Sequence, residues 1–273
     1  LKPESGLLAL RKSLDLYINV RPIFLFDALL ESSTIKPEII KNLDIVIIRE
    51  LIGGVYFGEP RGFHDGPNRS GFNTMIYSEN EVSRISQYAF DLSKKRSSRV
   101  TSVDKANVLE ASQVWRDTVT KLHKDKYSEI KLDHMYVDNA AMQLIKDPKQ
   151  FDVILTENLF GDILSDEASM LTGSIGMLPS ASLSDINGVY EPIHGSAPDI
   201  AGKGIVNPIA MILSVAMMFE YSLDNIKVSN IIKNSIENVL KSGVLTKDIS
   251  LEKEFVSTSE MGDALVEEIR KHV

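Results

Sequence analysis

Apolar and polar positions alternate along this chain in a repeating order. Phe151-Asp-Val-Ile-Leu155 is a short β-branched run with the length of a buried strand, and the residues from Phe160 to Leu171 lack breakers and space Ile163, Leu164 and Met170 at helical intervals. This predicts strand, short turn, helix. Upstream, the apolar run Asp44-Ile-Val-Ile-Ile48 ends in Arg49-Glu50, and Val100-Thr-Ser-Val103 predicts a short strand. Asp104-Lys105 follows the latter as a polar junction, and then comes an amphipathic helix carrying Trp115 and Val119. At Tyr136-Val-Asp138 a strand-like stretch gives way to a helix through Ile145, closed by Pro148. From Ser78 a helix with Val82, Ile85, Ala89 and Leu92 on one face runs to Lys94-Lys95-Arg96, read as a solvated basic helix end. Strand, polar junction and helix thus recur at least three times between 44 and 171, predicting an α/β layered domain with a largely parallel sheet.

The flanking segments differ in texture. Leu7, Leu8, Leu10 and Leu14 can line an N-terminal helix, and Gly62 to Thr74, rich in Gly, Asn, Pro and Ser, predicts a loop. Pro208 to about Leu223 is apolar nearly all round and predicts a buried helix, and the last helix is expected to start near Ser259.

Composition narrows the function classes. With 273 residues, 43% hydrophobic and 25% charged, the chain can build one large or two smaller cores. A net charge of −8 argues against a nucleic-acid or anionic-membrane partner, and the absence of cysteine excludes disulfides, thiolate nucleophiles and zinc–thiolate sites. The longest apolar stretch, Pro208 to Phe219, is too short to span a bilayer. The expectation is a cytoplasmic protein whose chemistry uses carboxylates, Lys, Tyr, His or a metal.

The candidate groups cluster at the predicted strand ends, where α/β folds place ligands. Arg49, Lys105, Asp138 and Asp162 all fall there. Asp162 and Asp166 stand four apart, on one face of the predicted helix, and hard oxygen ligands of that kind suit Mg2+ or Mn2+. A bare DxxxD is more often a solvated face. Arg11, Arg21 and Arg49 offer forks for the carboxylates of a di-acid. Tyr56, between glycines, is a packed aromatic or a proton donor. Downstream, Thr172 to Ser182 and Glu191 to Gly204 are Gly- and Ser-rich loops suited to a nucleotide, yet neither is a GxGxxG or Walker sequence. His194 there would stack on a ring or cap a turn, and Asp199 would take ribose hydroxyls.

In sum the residues resemble the β-decarboxylating dehydrogenases, the isocitrate/isopropylmalate dehydrogenase family. GLLALRK, NVRP, IIRELIGGVYFGEPRG, SVDKANVLE, YVDNAAMQL, NLFGDILSDEASML, GMLPSAS and EPIHGSAPDIAGKGIVNP carry the resemblance across nearly the whole chain. It implies a two-domain isopropylmalate/isocitrate dehydrogenase-like α/β fold and not a GxGxxG Rossmann fold. Residues 16–172 would form the second domain, with the metal site and dimer interface, and 1–15 plus 173–273 the remainder of an NAD-binding first domain. The implied activity is NAD-dependent oxidation of a 2-hydroxy di-acid, loss of CO2 and protonation of the enol, with 3-isopropylmalate of leucine biosynthesis as substrate. The rival readings are isocitrate, homoisocitrate, tartrate or malate as substrate, and a non-catalytic regulatory subunit.

By the same resemblance, Arg11, Arg21 and Arg49 clamp substrate carboxylates. Asp138, Asp162 and Asp166 ligate Mg2+ or Mn2+, with Asp138 also touching substrate; Lys105 is the base and Tyr56 the acid. Glu4, Leu7, Leu8 and Val108 lie by the substrate side chain and the nicotinamide, and paired leucines suit an isopropyl group. His194, Gly195, Ser196, Ala197, Asp199 and Asn207 hold the adenosine, Asp199 favouring NAD over NADP. Lys105 and Asp138 would reach the site from a second subunit, which implies a homodimer with shared active sites. Family members carry a further N-terminal segment, so the chain, opening at Leu1, is expected to be N-terminally truncated and poorly stable and weakly active as it stands.

Overall fold

The computed structural model describes residues 3–251 and 253–272, without the side chains of residues 3 and 4. In chain order the elements are α1 (Pro3–Ser13), β1 (Ile18–Phe24), the single-turn α2 (Pro37–Ile40), β2 (Asp44–Glu50), β3 (Gly62–His64) and β4 (Ser70–Phe72). There follow α3 (Glu79–Lys94), β5 (Arg99–Asp104), α4 (Glu110–Lys126), β6 (Lys131–Tyr136), α5 (Val137–Lys146), β7 (Val153–Thr156) and α6 (Asn158–Ser169). The chain closes with β8 (Pro179–Leu183), β9 (Gly188–Pro192), α7 (Ile209–Tyr221), α8 (Ile226–Lys241) and α9 (Thr258–Arg270).

A seven-stranded sheet in the order β6-β5-β7-β2-β1-β8-β9 organises the described residues. The first four strands pair in parallel, as the repeated strand–junction–helix pattern predicts, and β1, β8 and β9 add antiparallel pairings. The sheet runs without a break across residues 172 and 173 through the β1–β8 pairing. Its central strands are buried on both faces, which is why β2 and β7 read as continuous apolar runs, whereas the edge strands β6 and β9 are half-exposed. Val46, Ile48, Val153 and Leu155 pack with Phe90, Trp115 and Val119 of α3 and α4. Ile45, Ile47 and Ile154 face the other way, onto Leu144, Leu164 and Ala168 of α5 and α6. A third cluster joins α7, α8 and α9 through Leu213, Ile236 and Leu265.

Local signals explain the ends of several elements. Ser78 and Glu81 form a reciprocal capping box at the start of α3, as Ser257 and Glu260 do at α9, satisfying N–H groups left open by the helix. Pro22 lies inside β1, an unusual place for a residue without an N–H. Its partner Val46 gives its own N–H to Asp152, so Pro22–Val46 is a non-hydrogen-bonded pair. The proline nitrogen therefore faces the side where pairing with β8 has already stopped, at Val20.

Two expectations are corrected. Residues 62–74 contain a two-stranded ribbon, β3–β4, where a loop was expected: His64 stacks on Phe72 at 4.7 Å and Arg69 lies 4.3 Å over the Phe63 ring, contacts that join residues far apart in the polar stretch. Lys94-Lys95-Arg96 is not wholly solvated either. Arg96 donates to Asp152 at 2.7 Å and to Asp44 at 2.9 Å, tying the end of α3 to the sheet, and Asp152 is itself buried.

Candidate active site

Arg49 is the last-but-one residue of β2, where the sheet ends and α6 crosses it. Its side chain is 2% exposed and passes Gly161 so closely that a Cβ there would lie 2.7 Å from Arg49 Cγ and 2.8 Å from Thr156 Cγ2. Glycine is needed at 161 for this approach, not for its backbone freedom. Nε and Nη2 of Arg49 both donate to Asn158 Oδ1, at 3.1 and 2.8 Å, while Nη1 pairs with Asp162 Oδ1. Asn158 is in turn fixed, its Nδ2 donating to Gly53 O at 3.1 Å and its backbone N–H to the Tyr77 hydroxyl at 2.9 Å.

Arg21, 5% exposed, comes from the adjacent strand β1. Its Nε donates to Asn19 Oδ1 at 2.7 Å and its Nη1 to Ser165 Oγ, and the fork lies 3.6 Å from Asp162 and 3.7 Å from Asp166. Asn19 and Arg21 are two apart on one strand and so share a face. Tyr56 donates its hydroxyl to Asp162 Oδ2 at 2.8 Å, which joins it to the arginine–carboxylate cluster and leaves it half-buried, not in a packed core. Arg11, on α1, reaches Glu191 of β9 at 3.4 Å, and its buried Nε has no hydrogen-bond partner among the described residues. It is a donor left open for an acceptor.

The electrostatics follow from this crowding. Burial and the charge of Arg49 lower the Arg21 pKa, yet a guanidinium keeps its proton and both arginines stay cationic. Burial raises the Asp162 carboxyl, but Arg49 and Arg21 outweigh it and its pKa falls below the ordinary value. Asp166 goes the other way, raised by burial and by Asp162 against the pull of Arg21. Burial and the hydrogen bond to Asp162 raise the Tyr56 pKa, so the phenol keeps its proton and remains a donor.

Lys105 and Asp138 form a separate pair. Lys105 follows β5, Asp138 opens α5 after β6, and Nζ meets Oδ1 at 2.7 Å; this hydrogen bond lowers the Asp138 pKa. No hydrogen bond or ion pair between described residues joins this pair to the Arg49–Asp162 cluster. Both groups nevertheless stand at the carboxyl ends of parallel strands, the end the sequence pattern predicted. The donor set suits a hard divalent ion only in part: Asp162 and Asp166 offer two carboxylates one turn apart, and no cluster of three His, Cys, Asp or Glu suited to a metal occurs among the described residues.

The remaining predicted residues lie on three other stretches of the chain, at α1, just after Lys105 and between β9 and α7. Leu7 and Leu8 are half-buried on α1, Val108 is 62% exposed beyond Lys105, and the Glu4 side chain lies outside the described residues. In the expected adenosine loop, Gly195, Ser196 and Asp199 are exposed, and His194 Nδ1 lies 2.9 Å from Gly195 O, a turn contact and not a ring stack. Asn207 is buried at the foot of α7, where Oδ1 accepts from the Ile209 N–H at 2.9 Å and Nδ2 donates to Asp248 at 3.0 Å. Its side chain serves the fold here. The residues that hold the arginines, Asn19, Asn158, Ser165 and Gly161, had no role in the sequence reading. Asn158 was visible as the polar residue between an apolar strand and the acidic helix.

The sequence model of the isocitrate/isopropylmalate dehydrogenase family matches residues 1–265. The chain is 58% identical over 267 residues to a 3-isopropylmalate dehydrogenase of Wolinella succinogenes, covering 97% of this chain and 74% of that protein. It is 55% identical over 278 residues to the enzyme of the same name from Pelagibacter ubique, covering 98% of this chain and 76% of that one. Among solved structures, the crystal structure of isocitrate dehydrogenase from Methylococcus capsulatus superposes with a TM-score of 0.89 at 33% identity, over 96% of this chain and 76% of that one. No helix among the described residues is long and apolar enough to cross a membrane.

Proposed function

The chain belongs to the isocitrate/isopropylmalate dehydrogenase family, and on that premise we propose that it catalyses the NAD-dependent oxidative decarboxylation of 3-isopropylmalate to 4-methyl-2-oxopentanoate in leucine biosynthesis. One observation carries the reaction class: Arg21 and Arg49 are buried side by side over Asp162, with the Tyr56 hydroxyl on the same carboxylate. The substrate assignment follows the relatives, whose identity to this chain far exceeds that of the isocitrate enzyme.

Arg11, Arg21 and Arg49 hold the two substrate carboxylates and set the hydroxyl-bearing carbon. Lys105 takes the hydroxyl proton as the hydride leaves that carbon. The bond to the carboxylate on the neighbouring carbon then breaks, releasing CO2 and leaving its electron pair in an enolate, and Tyr56 gives its proton to that carbon. When bound, NAD+ accepts the hydride and Mg2+ or Mn2+ polarises the substrate oxygen. Asp162 and Asp166 would hold that ion, with Asp138 as third ligand, and the exposed loop from His194 to Asp199, together with Asn207, would hold the adenosine half of the cofactor. Asp199 disfavours a 2′-phosphate by charge. Leu7 and Leu8, with Glu4 and Val108, would line the place of the isopropyl group.

We assign residues 16–172 to a metal-binding and dimer-forming domain, and 1–15 with 173–273 to the NAD-binding one. Lys105 and Asp138 would serve the partner's site in a homodimer. Support comes from exposed apolar side chains on α5 and α6, where Met142 is 61% and Ile163 56% exposed. The cysteine-free composition favours a reducing, cytoplasmic setting. Steady-state rates with NAD+ and Mn2+ on 3-isopropylmalate, isocitrate, homoisocitrate, tartrate and malate test the proposal. The expected result is highest kcat/KM for 3-isopropylmalate; a preference for isocitrate would overturn it.

A further inference from the structure

Buried arginines are ordinarily matched by carboxylates, because an unpaired charge away from water is costly. Arg21 and Arg49 do lie against Asp162, and Arg21 against Asp166, yet most of their hydrogen bonds go to neutral groups. Two of the three hydrogen bonds that Arg49 makes, from Nε and Nη2, go to the neutral amide oxygen of Asn158, at 3.1 and 2.8 Å. Arg21 gives its Nε to the neutral amide oxygen of Asn19 at 2.7 Å and an Nη1 hydrogen to the Ser165 hydroxyl. Both amides are buried, at 0% and 1% exposure, and each is locked from its other end. Asn19 Nδ2 donates to Ser180 Oγ at 2.8 Å and to Ala181 O at 3.2 Å, and Asn158 Nδ2 to Gly53 O at 3.1 Å. In the sheet register Asn19 stands opposite Arg49, so this amide belongs to the strand pair that carries both arginines, while Asn158 is the first residue of α6.

An amide oxygen fixes a guanidinium as well as a carboxylate does in geometry, but it adds no negative charge to that already supplied by Asp162 and Asp166. From this we propose that Asn19 and Asn158 are positioning residues that orient Arg21 and Arg49 through neutral hydrogen bonds, adding nothing to the negative charge of Asp162 and Asp166 and so leaving the arginines able to attract the substrate's carboxylates. The inference rests on the reading of these arginines as the carboxylate clamp. It adds a reason for the residue type: aspartate, one atom different in shape, would satisfy the same N–H donors and neutralise the fork it holds.

The test compares Asn19→Asp and Asn158→Asp with Asn19→Ser and Asn158→Ser, by steady-state kinetics with 3-isopropylmalate, NAD+ and Mn2+. Thermal melts check folding, and Arg49→Ala serves as the reference. In the aspartate variants the KM for 3-isopropylmalate is expected to rise on the order of tenfold or more, from one added negative charge near the bound carboxylates. The kcat should fall by less and the KM for NAD+ should stay near the parent value. The serine variants, which loosen the fork without adding charge, are expected to raise the same KM by a smaller factor. Equal KM changes in the aspartate and serine pairs, or parent-like KM in the aspartate pair, would overturn the proposal. Should one aspartate variant fail to fold, the other and the two serine variants still decide between charge and geometry. If Arg49→Ala leaves the KM unchanged, it is the clamp reading itself that fails.

Discussion

The Tyr56 hydroxyl is shared with Asp162 at 2.8 Å and kept protonated by burial and by that hydrogen bond. Tyr56→Phe removes the donor and little else. Its expected effect is a fall in kcat of about 10²-fold with KM for the di-acid nearly unchanged, read by steady-state kinetics. A second residue bears on stability. Glu157 follows β7, is fully buried, and has one oxygen accepting from Ser112 Oγ at 2.6 Å and the other without a partner among the described residues. Burial pushes its pKa up to about 8, the Ser112 hydrogen bond lowers it and Asp104 adds to the rise. The unfolded carboxyl titrates near about 4.3, so the folded state holds the extra proton between the two values. Its stabilisation is full below the unfolded pKa and is lost as pH rises through about 8. Glu50, raised to about 7 mainly by burial, adds a similar decline at lower pH. Thermal melts of Glu157→Gln should therefore exceed the parent by on the order of 2–6 °C at alkaline pH and converge with it in acid. Parallel curves at every pH would count against a titrating Glu157.

At the scale of elements, the crossing of α6 over the end of β2 decides the site. Gly161 lets the Arg49 stem lie against the helix, and Gly161→Ala would press a methyl into Arg49 Cβ and Cγ and Thr156 Cγ2. The expected cost is about 1–3 kcal/mol of stability, measured by denaturant unfolding, together with weaker di-acid binding as the guanidinium shifts. The helices on the other face owe their seat to Trp115, fully buried, edge-on to Tyr77 at 5.3 Å and donating to Ser102 Oγ at 3.1 Å. Periodicity made α3, α4, α5 and α6 readable in the sequence, since each buries one stripe. β1 was not readable: Asn19, Arg21 and Pro22 break any apolar run, and the strand exists because neighbours on both sides satisfy those polar groups.

For the whole molecule, one sheet joins the regions before and after residue 172, and the predicted catalytic residues divide into two groups on it. If Lys105 and Asp138 serve a partner's site, Lys105→Ala and Asp166→Ala chains should each be inactive and restore activity when refolded together. A one-to-one mixture gives about half heterodimers with one intact site each, hence about a quarter of parent activity. Absence of any recovery, with heterodimers demonstrated by mass, would argue that each chain completes its own site.

The sequence by itself determined the repeating strand–junction–helix order, the parallel half of the sheet and the strand-end positions of Arg49, Lys105, Asp138 and Asp162, because these depend on local periodicity and on the geometry of α/β units. It also carried the family in long motifs. Only the tertiary structure decided that Tyr56 faces the Asp162 carboxylate, that Asn207 is spent on Asp248 and the start of α7, and that amides hold the arginines. The Tyr56–Asp162, Arg49–Asn158 and Asn207–Asp248 pairings span large separations along the chain, and no local pattern specifies which buried donor will meet which acceptor.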